Sequence, residues 1–157
     1  MRVHAVVLVL LCINSPFAAR SQETSLYLRS LTAYAQAGRP TVQDSGVLVV
    51  VKNNVVDDPA LFYPLPTNVG SIRVEFVDDN ALRARYRENK KAFWAIEIKP
   101  MVNRANELIV DCQEYRAAVR RGKVTLSVMG GVRIHWRFDS QIGDYVLTRV
   151  EPWKFQM

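Results

Sequence analysis

The chain has 157 residues, of which 49% are hydrophobic and 23% charged, and its formal charge is +6. This length suits one domain of ordinary size. The mild positive excess favours solubility and attraction to anionic surfaces, but it argues against a dedicated nucleic-acid-binding protein.

The first 21 residues have the order of a secretory signal peptide. A short basic start at residues 1–4 precedes an apolar run at residues 5–13, and small residues follow at Ala18, Ala19 and Ser21. The run is far shorter than the roughly 20 residues needed to cross a bilayer, and no later segment comes closer. The sequence therefore predicts a signal peptide at 1–21 and a mature domain at 22–157, secreted or periplasmic, without a transmembrane segment.

Removal of the signal peptide leaves Cys112 as the only cysteine, so the mature chain cannot form an internal disulfide. Secreted eukaryotic domains of this size usually carry paired cysteines, which favours a bacterial origin. Cys112 ends a strand-like run at residues 108–112, and free cysteine is among the most buried residue types. We expect it in the core, the alternative being a reactive or intermolecular thiol.

One helix is predicted near the start of the mature chain and about eight strands after it. Thr24 or Ser25 can begin the helix, residues 38–40 end it, and its apolar residues at 27, 28, 31, 34 and 35 share one face. The valine-rich run at 46–52 does not alternate, which predicts a strand with both faces covered. The other predicted strands are 71–77, its hairpin partner 81–87, then 92–99, 107–115, 123–128, 132–139 and 144–150, with Gly130-Gly131 and Gly143 in turns.

These elements predict an α+β fold. The N-terminal helix would pack on a strongly curved antiparallel meander of about seven or eight strands that follow one another in simple up-and-down order. A small closed barrel of eight strands is the alternative. No internal repeat or linker divides the mature chain, which indicates a single β-rich domain.

The sequence lacks the residues that common catalytic devices need. His135 is the only histidine of the mature chain, and Arg133 and Arg137 beside it disfavour an imidazolium, so a catalytic triad is not expected. One histidine and one apolar-facing cysteine are too few for a zinc site, and no glycine-rich phosphate loop is present. We therefore predict no catalytic residue, no metal and no cofactor, and His135 is expected on the surface.

Two features are candidate ligand-binding sites. Alternation places Arg83, Arg85 and Arg87 on one face of a strand, and Arg133, His135 and Arg137 on one face of another, opposite residues 132, 134, 136 and 138. The guanidinium group suits carboxylate, phosphate and sulfate, although these faces could simply be solvated. The second feature is a long proline-containing loop at 57–70, whose Phe62 and Tyr63 must be buried against something.

These features favour a non-enzymatic exported domain that binds an anionic ligand, a small molecule or a protein partner. One alternative is a small-pocket α+β enzyme that uses acids and tyrosines. The other is a subunit or inhibitor that acts by docking on another protein.

Overall fold

The computed structural model describes residues 16–38, 46–58, 65–89 and 91–155, and the apolar run of the predicted signal peptide lies outside them. Within these residues, two helices and one sheet of eight strands give the α+β class. The helices of the described residues include none that is long and apolar enough to span a membrane. In chain order the elements are α1 Pro16–Gln36, β1 Val47–Val51, β2 Asn68–Val69, β3 Ile72–Val77, α2 Asp79–Asn89, β4 Phe93–Ile98, β5 Val102–Arg104, β6 Glu107–Arg120, β7 Lys123–Asp139 and β8 Asp144–Lys154.

Helix α1 packs its apolar face on one side of the sheet, as the sequence predicts. Leu31 and Tyr34 are fully buried against strand residues such as Ile96 and Ile134. The helix begins at Pro16, earlier than the predicted start, and it ends as predicted near Gly38, whose φ of 63° suits a glycine after a helix.

Strand β1 is covered on both faces, which confirms the prediction from its valine run. Leu48 and Val50 belong to the core under α1, whereas Val49 and Val51 belong to a smaller core under α2. Successive side chains of a strand point to opposite faces, so the two helices lie on opposite sides of the sheet.

The predicted strand at 81–87 is wrong, because these residues form helix α2. Asp78 caps the helix: its side chain accepts a hydrogen bond from the Ala81 amide at 2.8 Å, and its carbonyl accepts one from Leu82 at 2.9 Å. Alanine, leucine and arginine are strong helix formers, and burial of Leu82 fixes the helix on the sheet. Arg83, Arg85 and Arg87 therefore do not form one face of a strand.

The sheet is open and mixed rather than a simple meander, and the closed barrel is wrong. Its order is β2-β3-β1-β4-β6-β7-β8, with β5 added beside β6. Strand β1 runs parallel to both β3 and β4, and the β3–α2–β4 connection crosses over it. From β4 through β8 the pairing is antiparallel, which agrees with that part of the sequence prediction.

The predicted hairpin turn at Gly130-Gly131 is also wrong, since both glycines lie inside the single long strand β7. The true β6–β7 turn is Arg121-Gly122, where both residues have positive φ. Gly131 is required in the strand, because a Cβ there would lie 2.6 Å from the Cys112 carbonyl and 2.9 Å from the Trp153 ring. Cys112 itself is fully buried, as predicted.

Candidate functional site

The candidate site lies on the half of the sheet that α2 leaves uncovered. The odd-numbered side chains of β6 share one face of that strand, and Ala117 among them packs in the core under α2. Farther along the same face, β6 carries Glu107, Ile109 and Asp111 next to charged residues of β7 and β8. We call the following residues the charged cluster: Arg104 of β5, Glu107 and Asp111 of β6, Arg133, His135 and Arg137 of β7, and Arg149 and Glu151 of β8.

His135 is at the centre of the charged cluster and is buried, with 4% of its surface exposed. Its Nδ1 lies 3.0 Å from a Glu107 carboxylate oxygen, and its Nε2 lies 3.4 Å from an oxygen of Glu151. An Arg149 nitrogen is 3.3 and 3.4 Å from the two ring nitrogens. The expectation of a surface histidine is therefore wrong, because side chains of both neighbouring strands cover the ring.

The arginines beside His135 remain available to solvent although each has an acidic neighbour. Arg133 Nε lies 3.6 Å from Asp111, and an Arg137 nitrogen lies 3.1 Å from Glu107. Arg149 lies 3.8 Å from Glu151. All three arginine side chains are more than half exposed. They can therefore bind an external anion without first being uncovered.

Glu107 is the best-connected acid of the charged cluster. The hydrogen bond with His135, together with those from Arg137 and Thr148, lowers the pKa of Glu107 below its usual value of 4.5. Glu107 therefore stays ionised under neutral conditions and holds both His135 and Arg137 in place.

A cavity of about 270 Å³ opens in the charged cluster between β5 and β8. Its charged wall contains three arginines and two acids, which leaves one excess positive charge before any proton is placed on His135. Val102 and Ile109 add an apolar surface. Exposed guanidinium groups around a small, partly apolar cavity are suited to a ligand with a carboxylate, phosphate or sulfate group. The cavity lining is Val102, Arg104, Ile109, Asp111, Arg133, His135, Arg149 and Glu151.

Trp153 borders the charged cluster, and the sequence analysis missed it. Its ring lies against Gly131, its Nε1 donates a hydrogen bond to Asp111 at 3.2 Å, and the Arg133 guanidinium carbon is 5.8 Å from the ring centre. A glycine inside a strand signals a close approach by another group, so Gly131 could have suggested this arrangement.

The other predicted site residues are not brought to this cluster. Arg85 forms an ion pair with Glu75 and lies over the Phe93 ring at 5.5 Å. Arg83 also belongs to α2, and its buried Nε has no hydrogen-bond partner among the described residues. Phe62 and Tyr63 lie outside the residues that the structure describes.

Phe138 departs from the predicted pattern of β7. Residues 132, 134 and 136 of that strand are buried under α1 as expected, but Phe138 is 49% exposed. Its ring packs edge-on against Tyr145 at 5.4 Å, near the end of the β7–β8 hairpin. The core under α1 therefore ends at Trp136.

A second polar group links Glu97, Lys99 and Tyr115 on the same side of the sheet. Burial alone would raise the pKa of Glu97, but hydrogen bonds from Lys99, Asn53 and Tyr115 lower it. Burial and the hydrogen bond to Glu97 raise the pKa of Tyr115. An acid and a tyrosine whose pKa values move away from neutrality are poorly suited to exchange protons near pH 7.

A wider groove of about 400 Å³ lies on the other side of the sheet, between α1 and the β7–β8 hairpin. Arg29 is its one charged wall residue. Its guanidinium lies 3.1 Å from the Asp144 carboxylate and 4.6 Å from the centre of the Trp136 ring. Because the one described cation of this groove is 35% exposed, whereas three arginines of the charged cluster are more than half exposed, the charged cluster is the stronger candidate site.

Comparisons with known proteins give no relative on which to model the site. No protein-family model matches the chain, and neither the curated proteins nor the solved structures contain a significant match. Among the described residues, no group of three or more histidine, cysteine or acidic side chains is arranged to hold a metal ion.

Proposed function

We propose that the protein is an exported, non-enzymatic domain that binds an anionic ligand at the charged cluster. The observation that carries this proposal is the 270 Å³ cavity, whose wall includes Arg104, Arg133 and Arg149. Binding by a guanidinium fork needs an exposed arginine whose orientation is already restricted. Arg133 and Arg149 meet both conditions, since each is more than half exposed and lies beside an acid.

Binding is a better interpretation than catalysis for this site. Glu97 and Tyr115, which lie together outside the charged cluster, do not offer a catalytic pair instead, because their pKa values are shifted in opposite directions, away from neutrality. His135 is enclosed by Glu107, Arg149 and Glu151, which restricts a substrate's access to its ring nitrogens. The solvent-facing groups of the charged cluster are mainly arginines, which bind anions but do not exchange protons at neutral pH.

Export remains a proposal that rests on residues 1–21. Cleavage after Ser21 would remove the first residues of α1 and leave Leu26, Leu31 and Tyr34, which pack in the core, in the mature chain. Mass spectrometry of exported protein should give an N-terminus at Gln22, and exported protein that still begins at Met1 would contradict the proposal.

The binding proposal is tested by titrating the protein with heparin, a sulfated polysaccharide. Binding is measured by the fluorescence of the protein's tryptophans. Binding should weaken steeply as salt rises from about 0.1 M to 1 M, where the screening length falls from about 10 Å to about 3 Å. The Arg133→Gln/Arg149→Gln double variant should lose most of this binding. Its melting temperature should change little, because exposed ion pairs contribute only about 0–1 kcal/mol each.

The matched control removes two exposed positive charges elsewhere, in the Lys52→Gln/Lys154→Gln double variant. Neither residue lines the cavity. Equal loss of heparin binding in the two double variants would mean that net charge alone attracts the polymer, and the proposed site would then be wrong.

A further inference from the structure

A second basic surface lies at the end of the sheet where β6 turns into β7. Phe93 begins β4 and pairs with Ala117 of β6, so Lys91 lies at the same end as the β6–β7 turn. Helix α2 also finishes at this end, because it runs from the end of β3 back to the start of β4. We call the following exposed residues the basic end: Arg87, Lys91, Arg120, Arg121 and Lys123.

The cations of the basic end form no ion pair with an acid among the described residues, unlike Arg133, Arg137 and Arg149 of the charged cluster. None of the five forms an ion pair with another described residue. The surrounding sequence, residues 83–93 and 116–127, contains nine basic residues and one acid, Glu88. The basic end therefore presents positive charge that the described part of the chain does not neutralise through ion pairs.

The conformation of the turn supports a role for this charge. Arg121 and Gly122 are the two central residues of the turn, with φ of 50° and 75°. Both central positions of such a turn require positive φ, and asparagine followed by glycine is the preferred pair. Arginine in this region is strained relative to asparagine or glycine. The chain therefore places a cation at its tip where another residue would be more stable.

The charge distribution suits a flat anionic surface. Asp139 and Asp144 lie at the opposite end of β7, beside the β7–β8 turn. The 17 residues of β7 separate the two ends by roughly 50 Å at about 3.3 Å per residue. An anionic plane would attract the basic end and repel the other, and the projecting turn would let several cations reach the plane together.

An anionic phospholipid surface fits better than a single-stranded nucleic acid. Single-stranded nucleic acids bind through bases stacked on aromatic rings. The two rings at the start of β4 are already faced by arginines, since Arg85 lies 5.5 Å from the Phe93 ring centre and Arg116 lies 5.5 Å from that of Trp94. We propose that the basic end docks the protein on membranes rich in anionic phospholipid, independently of the charged cluster.

The proposal is tested by co-sedimentation of the protein with vesicles. Vesicles of phosphatidylglycerol mixed with phosphatidylcholine should bind the protein at low salt, and vesicles of pure phosphatidylcholine should not. Each basic residue near an anionic leaflet contributes about fivefold to the binding constant. The Arg120→Gln/Lys123→Gln variant should therefore bind about 30-fold more weakly, whereas the Lys52→Gln/Lys154→Gln variant, which removes two exposed charges outside both surfaces, should bind nearly as well as the parent.

Three results would overturn this inference. The first is equal weakening of vesicle binding by the two double variants, and the second is equal binding to charged and uncharged vesicles. The third is full displacement of the protein from vesicles by a short DNA that binds more tightly through the same residues. The outcome is separate from that of the heparin experiment, because the vesicle assay tests residues 120 and 123 and the heparin assay tests residues 133 and 149.

Arg121→Asn separates binding from folding. Asparagine tolerates positive φ, so this variant should melt at a higher temperature than the parent. It should also bind anionic vesicles about fivefold more weakly, because it loses one cation. A lower melting temperature, or unchanged vesicle binding, would contradict the role inferred for Arg121.

Discussion

The docking of α1 on the sheet can be tested through one buried hydrogen bond. Trp136 of β7 donates from Nε1 to the Ser30 hydroxyl of α1 at 2.8 Å. Ser30 has no exposed surface, and Trp136 has 3%. Ser30→Ala therefore leaves a buried indole N–H without its acceptor, which costs about 1–3 kcal/mol. For a domain of this size, that loss lowers the melting temperature by about 4–10 °C.

Removal of the donor instead of the acceptor, in Trp136→Phe, lowers the free energy of unfolding for different reasons. Trp136→Phe removes the donor and part of the ring, and it weakens the stacking of Arg29, which lies 4.6 Å from the ring centre. The Ser30 hydroxyl that remains can donate to a carbonyl one turn earlier in its own helix. The double variant should therefore be more stable than the sum of the two single changes implies, by about 1 kcal/mol.

The free energies of unfolding are measured by urea denaturation of the parent, both single variants and the double variant. Thr32→Ala is the matched control in α1, because the Thr32 hydroxyl bonds only the Leu28 carbonyl of the same helix at 3.0 Å. It should change stability by less than about 0.5 kcal/mol. If Ser30→Ala is as mild as this control, or the two single changes are additive, the described packing of α1 on β7 is wrong.

Three other predictions concern the sheet. Burial raises the pKa of the Cys112 thiol, so a thiol reagent should label it only after denaturant is added, and rapid labelling of native protein would contradict its place in the core. Gly131→Ala should lower the free energy of unfolding in urea by about 1–3 kcal/mol, because the new methyl group meets a β6 carbonyl and the Trp153 ring. An unchanged unfolding midpoint would contradict both of these close contacts. The folded-state pKa of Glu107 is lowered, so its contribution to stability is present above its unfolded value near 4.5 and is lost as the pH falls through the folded value. Glu107→Gln should therefore make stability less dependent on pH below about 4.5, and melting curves with the parent's pH dependence would count against the network around His135.

Local patterns in the sequence predict some of the fold correctly. The spacing of Leu31, Tyr34 and their neighbours identifies the buried face of α1. The unbroken valine run identifies β1 as a strand between two covered faces. Both predictions succeed because the buried face of a helix or strand can be recognised from the spacing of the apolar residues within that element.

The arginines at 83, 85 and 87 show where such patterns mislead. These arginines alternate with a small and an aromatic residue, which is a pattern typical of a strand. Arginine and alanine are also good helix formers, however. Asp78 caps the helix, and α2 forms the connection that crosses the sheet from β3 to β4. This crossing makes β3 and β4 parallel on either side of β1, and the residue spacing within any one segment does not predict it.

The candidate site was only partly predictable for a related reason. Alternation places Arg133, His135 and Arg137 on the correct face of β7. Burial of His135, however, depends on Glu107 of β6 and Arg149 of β8, which the strand register brings beside it. Register between separate strands is a long-range property, so the sequence pattern of β7 alone cannot reveal it.

The central position of β1 has a consequence for the order in which the fold assembles. Strands β6, β7 and β8 are joined by short turns, so their pairing closes small loops and can occur early. Val50 of β1, by contrast, pairs with Ile96, and the strand must enter between two neighbours that follow it in the chain. We expect β1 to join the sheet late. A destabilising substitution in β1 would then mainly accelerate unfolding, whereas one in the β6–β7 hairpin would slow folding.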